Sequence, residues 1–343
     1  MRAMILEQIM ELSRESQPLR LADLPLPEPA PAEIRIRVSV CGVCHTELDE
    51  IEGRTMPPAF PIVPGHEVVG YVDKAGAGAG RYQVGDRVGV GWIHHSSGEA
   101  DENLSPRFRA TGRDAPGGYA EYMTVHENYA YPIPQVFSDA EAAPLLCAGG
   151  VGYRALRLTG IRDGSSLGLT GFGGSAHLVL QLAKFLYPKS GVFVFARSPR
   201  EREFARELGA DWAGATRERA PELLDAIIDT TPAWRPVLEA LANLKPGGRL
   251  VINAIRKEDF DKNLMATIRY HDHLWMEKEI KSVANVTSRD LAEYLPLASR
   301  IPLKPAIQLY PLEEANRALI ELKWSHVRGA KVLQIKSDPL PAC

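Results

Sequence analysis

The stretch Leu167-Gly-Leu-Thr-Gly171-Phe172-Gly173-Gly174-Ser175-Ala176-His-Leu178 reads as a short strand, a glycine-rich turn and the start of a helix. That order has a chemical use. Gly171 permits the tight turn and Gly173 lets the backbone approach a pyrophosphate. The helix start offers free N–H groups at the positive end of its dipole. Ala176 stands where a third glycine often allows close helix–strand packing. With a strand before it and a helix after it, the turn predicts a dinucleotide site.

Working outward, the helix is predicted over Ala176 to Phe185, and apolar strands over Val192–Ala196, Ala226–Asp229, Arg249–Asn253 and Ile280–Ala284. Strands separated by helices argue for βαβ units and a doubly wound parallel sheet. Upstream the texture differs. Pro25, Pro27, Pro29, Pro31, Pro57, Pro58, Pro61 and Pro64 punctuate short β-branched runs such as Ile34–Val40 and Glu67–Val72. This predicts a β-rich, barrel-like domain. From about Ser288 the chain gives one more helix, Asp290–Ser299, and a final strand, Ala330–Ile335. The middle segment therefore reads as an insertion, with 1–150 and 288–343 forming one domain and 151–287 the other.

The end of the strand after the turn bears on which dinucleotide is held. An acidic residue there would bind the ribose 2′-hydroxyl, whereas a cation accommodates a 2′-phosphate. The sequence runs Phe195-Ala196-Arg197-Ser198-Pro199-Arg200. Arg197, Ser198 and Arg200 favour NADP(H) over NAD(H) through charge-assisted hydrogen bonds.

The 343 residues exceed what one core usually accommodates, and the net charge of −3 leaves no footprint for nucleic acid or an anionic membrane. No apolar run is long enough to cross a bilayer, and Met1 to Gln8 lacks a signal-peptide core. A cytoplasmic protein with reduced thiols is expected, since the four cysteines, Cys41, Cys44, Cys147 and Cys343, are too few for a disulfide scaffold.

The cysteines fall in telling places: Cys41-Gly-Val-Cys44-His45-Thr46-Glu47-Leu-Asp49, then Pro64-Gly-His66-Glu67, then Pro144-Leu-Leu-Cys147-Ala-Gly-Gly150. Thiolate and imidazole are the donors zinc prefers. Cys41 and Cys44 alone also fit a redox pair. The half-finger reading fails because no second cysteine pair follows. Taken together, these blocks, with Gly-Phe-Gly-Gly, Val84-Gly-Asp-Arg-Val88 and Gly117-Gly-Tyr-Ala-Glu-Tyr122, resemble the zinc-containing alcohol dehydrogenases of the medium-chain dehydrogenase/reductase superfamily.

The resemblance implies a GroES-like catalytic domain with an inserted Rossmann-type domain, and a reaction that moves hydride between a small alcohol and NAD(P). It implies catalytic zinc on Cys44, His66 and Cys147, with Glu67 as an exchanging ligand and Cys41 a packing residue. Thr46 falls where the family relays the substrate proton, and His45 where a basic residue faces the pyrophosphate. Glu47 stands in place of an Asp that hydrogen-bonds the zinc-binding histidine, which requires room for one more methylene. Asp49 replaces the histidine often found at the outer end of the proton path. Trp92 matches an aromatic pocket position. Further cofactor contacts are implied at Thr230, Asn253, Ala254, Asn285 and Val286, and Arg328 is expected to substitute for a basic residue near the last strand.

Many such proteins hold a second, structural zinc on four cysteines after the Gly-Asp-Arg-Val strand. Here the stretch Gly91–Ser105 carries Ser96, Ser97 and Ser105 instead, and serine is a poor zinc ligand beside a thiolate. One zinc per chain is expected, and a lobe left mobile unless packed in another way. His94, His95, Glu99 and Asp101 are read as a solvated loop, the alternative being a replacement metal site. The partners expected are a small alcohol or aldehyde and a second copy or three further copies of the chain. The competing readings are a metal-free quinone or enoyl reductase, which predicts vacant ligand positions, and a non-catalytic zinc- or nucleotide-binding relative.

Overall fold

Alternation and turn chemistry build the first unit. It comprises Met1–Cys147, Val286–Ser299 and the described residues from Pro305 onward. In the computed structural model, residues 1–301, 303, 305–325 and 329–335 are described; Arg328 and Cys343 lie outside them. A seven-stranded sheet runs in the order Ile307–Pro311, Ala330–Gln334, Glu33–Val43, Val68–Ala75, Arg87–Val90 and Ala130–Pro132, with Tyr122–His126 also pairing to Glu33–Val43. Ile34, Ile36 and Val38 turn inward onto Val68, Val72, Val88, Tyr119 and Met123, which form one apolar core. Burial of this kind contributes about 25 cal/mol per Å² of apolar surface.

The second unit comprises Ala148–Asn285 with Arg300, Ile301 and Leu303. Its six strands are all parallel, in the order Trp212–Gly214, Val192–Phe195, Leu167–Thr170, Leu224–Asp229, Leu244–Ile252 and Glu279–Ser282. The order doubles back at Leu167–Thr170, the strand that precedes the glycine turn. In an open parallel sheet such a switch point, at the carboxyl ends of the strands, is where ligands bind. Phe193, Phe195, Ile227, Leu250 and Val237 pack one face of this sheet.

Several elements are not predicted by the sequence reading, among them the helices Ala148–Thr159 and Arg235–Asn243 and the strands Arg2–Leu6 and Leu19–Asp23; three others are instructive. Trp212–Gly214 spans only three residues, too few to show a period. Ile307–Pro311 alternates weakly and ends in proline, yet it pairs in parallel with Ala330–Gln334. The Ala315–Trp324 helix buries Ala315, Ala318, Leu319 and Leu322 at helical spacing, a signal that was present and not used. The units divide after Cys147 and after Asn285, whereas the sequence reading places the boundaries at 150 and 287.

Candidate metal centre and dinucleotide turn

Strand Glu33–Val43 ends where Cys44 caps the helix His45–Ile51. Glu47, one turn into that helix, is fully buried and uses both carboxylate oxygens. One accepts the Cys44 backbone N–H at 2.8 Å and the other meets His66 Nδ1 at 2.6 Å. The room for its extra methylene is therefore present. With Nδ1 engaged, His66 presents Nε2, which is buried and has no hydrogen-bond partner.

That orphaned nitrogen belongs to a cluster. One donor atom each from Cys44, His66, Glu67 and Cys147 lie within 4.8 Å of one another. The two sulfurs are 3.9 Å apart. Two thiolates on a tetrahedral zinc, with Zn–S of about 2.3 Å, stand about 3.8 Å apart, so the donor set fits this ion. Among the described residues this is the one group of His, Cys, Asp and Glu that converges in this way. The Cys147 thiol hydrogen-bonds to Cys44, which holds Cys44 well below the usual thiol range against its burial and pushes Cys147 well above it. Burial disfavours a charged His66, but Glu47 and Cys44 outweigh it and raise its pKa.

Glycine makes the approach possible. A Cβ on Gly42 would lie 1.8 Å from Glu67 Oε2. Gly65, at φ +99°, would place a Cβ 2.3 Å from the Tyr119 ring and 2.9 Å from Cys41 Sγ. Cys41 is thus packed behind the loop that delivers His66, with burial raising its pKa.

Beside the cluster, Thr46 Oγ1 is 3.6 Å from Cys44 Sγ. The Trp92 ring stands 6.2 Å from the His66 ring and 5.6 Å from Phe108, with the Arg113 guanidinium 5.9 Å away. Asp49 is buried and ion-paired with Arg54 at 2.6 Å, and His45 is exposed at the helix start.

In the second unit Gly171 adopts φ +76°, and its N–H donates to the Phe195 carbonyl at 2.8 Å. A Cβ on Gly173 would meet nothing within 4 Å, so open space lies over the turn where a phosphate would sit. Ala176 is fully buried at the start of the helix Ala176–Leu186. Phe172 turns its ring onto Phe204 at 5.5 Å, so any ligand contact from this residue is through its backbone. Asn253 Nδ2 donates to Ser175 Oγ at 3.2 Å, and Thr230 Oγ1 donates to the Thr170 carbonyl at 3.0 Å. Gly174 stands within the turn, Ala254 is half-buried, and Asn285 and Val286 are buried. Arg197 and Arg200 are exposed after Val192–Phe195, and Ser198 Oγ accepts the Arg200 N–H at 3.2 Å.

Known proteins share this organisation. Residues 30–135 match the family described as the alcohol dehydrogenase GroES-like domain. The "Probable alcohol dehydrogenase AdhA" of Mycobacterium tuberculosis is 40% identical over 309 residues, covering 87% of this chain and 87% of that protein. The chain belongs to the zinc-type medium-chain alcohol dehydrogenase family. An alcohol dehydrogenase of Geobacillus stearothermophilus is 32% identical over 88% of this chain and 91% of its own length. A solved cinnamyl alcohol dehydrogenase from Sorghum bicolor superimposes with a TM-score of 0.82 at 25% identity, covering 97% of both chains. The protein is thus an alcohol oxidoreductase with a GroES-like and a Rossmann-like domain.

Within this alcohol dehydrogenase, several site neighbours escaped sequence reading. Phe108 and Arg113 flank Trp92 only through the fold of the lobe. Glu50 is buried with neither oxygen hydrogen-bonded, and burial and Glu47 push its pKa well up. Nothing in the local sequence marks it. Nor does the sequence mark Arg202, whose guanidinium donates to the carbonyls of Ala196 and Arg197 at 2.9 and 3.1 Å.

The lobe without the four cysteines is packed in another way, the condition on which its expected mobility depended. Ser96 Oγ donates to the Glu102 carbonyl at 2.6 Å, and the Tyr129 hydroxyl accepts the Ser96 N–H at 3.1 Å. That hydroxyl donates to the fully buried Glu102 carboxylate at 3.1 Å, whose other oxygen accepts the Ser288 N–H at 2.6 Å. His94 Nε2 lies 3.2 Å from the Thr124 carbonyl, away from Glu99 and Asp101 in its bonding.

Proposed function

We propose that this alcohol dehydrogenase is zinc-dependent, with one catalytic zinc per chain, and transfers hydride between a small alcohol and NADP(H) in preference to NAD(H). The observation that carries the reading is the convergence of Cys44, His66, Glu67 and Cys147 around an unpartnered His66 Nε2. A zinc ion held there supplies a Lewis acid for an alcohol or carbonyl oxygen. The chain's own residues do the rest. Cys44, His66 and Cys147 are the ligands, Glu67 the alternate. Glu47 fixes the His66 tautomer so that Nε2 faces the cluster. Thr46 Oγ1 passes the substrate proton, with Asp49 on the same helix held by Arg54. Trp92 narrows the substrate pocket.

The glycine turn Gly171, Phe172, Gly173, Gly174, Ser175 and Ala176 receives the pyrophosphate, assisted by His45, while Thr230, Asn253, Ala254, Asn285 and Val286 contact the remainder. Arg197, Ser198 and Arg200 read the 2′-phosphate. Their setting supports this, since two exposed arginines follow the strand and the next carboxylate in sequence, Glu201, accepts the Ser198 N–H at 3.3 Å. A metal-free reductase would leave the ligand positions vacant, and here they are filled.

No helix among the described residues is long and apolar enough to cross a membrane, and a cytoplasmic location belongs to the proposal. So does a homodimer or homotetramer, which is supported by the edge strand Glu279–Ser282, exposed along its length, and by exposed Tyr270, Trp275 and Met276 shortly before it in the chain.

The test is initial-rate measurement at 340 nm with short aliphatic and aromatic alcohols, using NAD and NADP, before and after chelation. Activity that depends on the metal and prefers NADP is expected; full activity in a zinc-free preparation would remove the proposal. Arg197→Asp should weaken NADP by about tenfold more than NAD, the size of one lost charge-assisted bond. An equal loss for both would show that Arg197 does not read the phosphate.

A further inference from the structure

Beneath the glycine turn lies an ion pair that the proposed reaction does not use. Asp229 ends the strand Leu224–Asp229 and is fully buried. Its Oδ1 accepts the Thr170 hydroxyl at 2.5 Å, the Thr231 hydroxyl at 2.8 Å and the Thr231 N–H at 3.3 Å. Its Oδ2 accepts Lys257 Nζ. Lys257, only 9% exposed, also donates to the carbonyls of Thr231 at 2.7 Å and Ala233 at 3.1 Å.

The pair touches the turn through two threonines. Thr230 donates both its N–H and its hydroxyl to the Thr170 carbonyl at 3.0 Å. A Cβ on Gly171 would lie 2.9 Å from Thr230 Oγ1 and 2.9 Å from Thr231 Cγ2. A buried carboxylate so near the strand ends would repel a pyrophosphate through a medium of low dielectric, where charge carries far. Lys257 cancels that charge where the sheet is expected to receive two phosphates.

We propose that Lys257 is a positioning residue of the dinucleotide site, neutralising Asp229 beneath the pyrophosphate turn. This rests on the dinucleotide reading above. It makes a sign prediction that a purely architectural pair does not: removing the cation and removing the anion must move phosphate-bearing ligands in opposite directions.

The full-length protein and its Lys257→Met and Asp229→Asn variants are titrated with NADPH, ADP and adenosine by fluorescence or calorimetry, with thermal melting in parallel. Lys257→Met is expected to weaken NADPH and ADP by about tenfold, and Asp229→Asn to tighten them by about threefold or more, with adenosine unmoved within about twofold in both. In turnover the loss in Lys257→Met should fall mainly on the KM for NADPH, raised by about tenfold, rather than on kcat. If Lys257→Met does not fold, Asp229→Asn decides alone through its ratio of ADP to adenosine affinity. Parallel losses in both variants, or adenosine weakened as much as ADP, overturn the assignment while the dinucleotide reading stands. A wild-type protein that binds no dinucleotide removes both.

Discussion

Two places in the GroES-like unit invite comparison, because zinc is familiar to the family in both. At Cys44, His66 and Cys147 the donors converge and one buried nitrogen is left without a partner. At Ser96, Glu102 and Tyr129 the polar groups close on one another, and the carboxylate, the phenol and two backbone N–H groups are all satisfied. Buried polar atoms need partners, and the two regions meet that need by opposite means. The first gathers donors of the right spacing and chemistry for a cation. The second completes its bonding within the chain, so the lobe is tied down by a carboxylate that reaches across to Ser288.

The contrast can be broken most severely at the cluster. Cys44→Ser should remove the bound zinc and lower kcat by about a thousandfold or more, the several kcal/mol that a lost Lewis acid represents. Metal analysis beside turnover checks this, and an active, metal-replete variant would dissolve the distinction between the two regions. The matching change in the lobe is Glu102→Ala. It strands the Ser288 N–H and the Tyr129 hydroxyl, so unfolding should become easier by about 3 kcal/mol in urea, with zinc content unchanged. A variant of wild-type stability that loses metal would mean that the lobe belongs to the metal's support. The finest adjustment is Glu47→Gln, which keeps one acceptor oxygen and sets an NH2 donor against either the Cys44 N–H or His66 Nδ1. Zinc affinity should fall by about 10- to 100-fold, measured by competition with a chromogenic chelator.

Much of this was legible before the fold. The glycine turn, its flanking strand and helix, and the three ligand blocks are local patterns whose chemistry can be read from residue order. Glu47 was legible as a substitution, and only the structure shows its two oxygens dividing between Cys44 and His66. Glu102 was not legible, because its partners Tyr129 and Ser288 are distant in sequence and an isolated Glu in a polar loop looks solvated. The same holds for Lys257, whose meaning depends on three strand ends meeting. The short Trp212–Gly214 strand is hidden by its length, whereas the Ala315–Trp324 helix has a legible period of buried residues.

X-ray absorption at the zinc edge of the purified protein tests the central claim most directly. One zinc per chain is predicted, with two sulfur neighbours near about 2.3 Å and the remaining light-atom neighbours at about 2.0–2.2 Å. A shell of four sulfurs, a shell without sulfur, or a protein that takes up no zinc would contradict it.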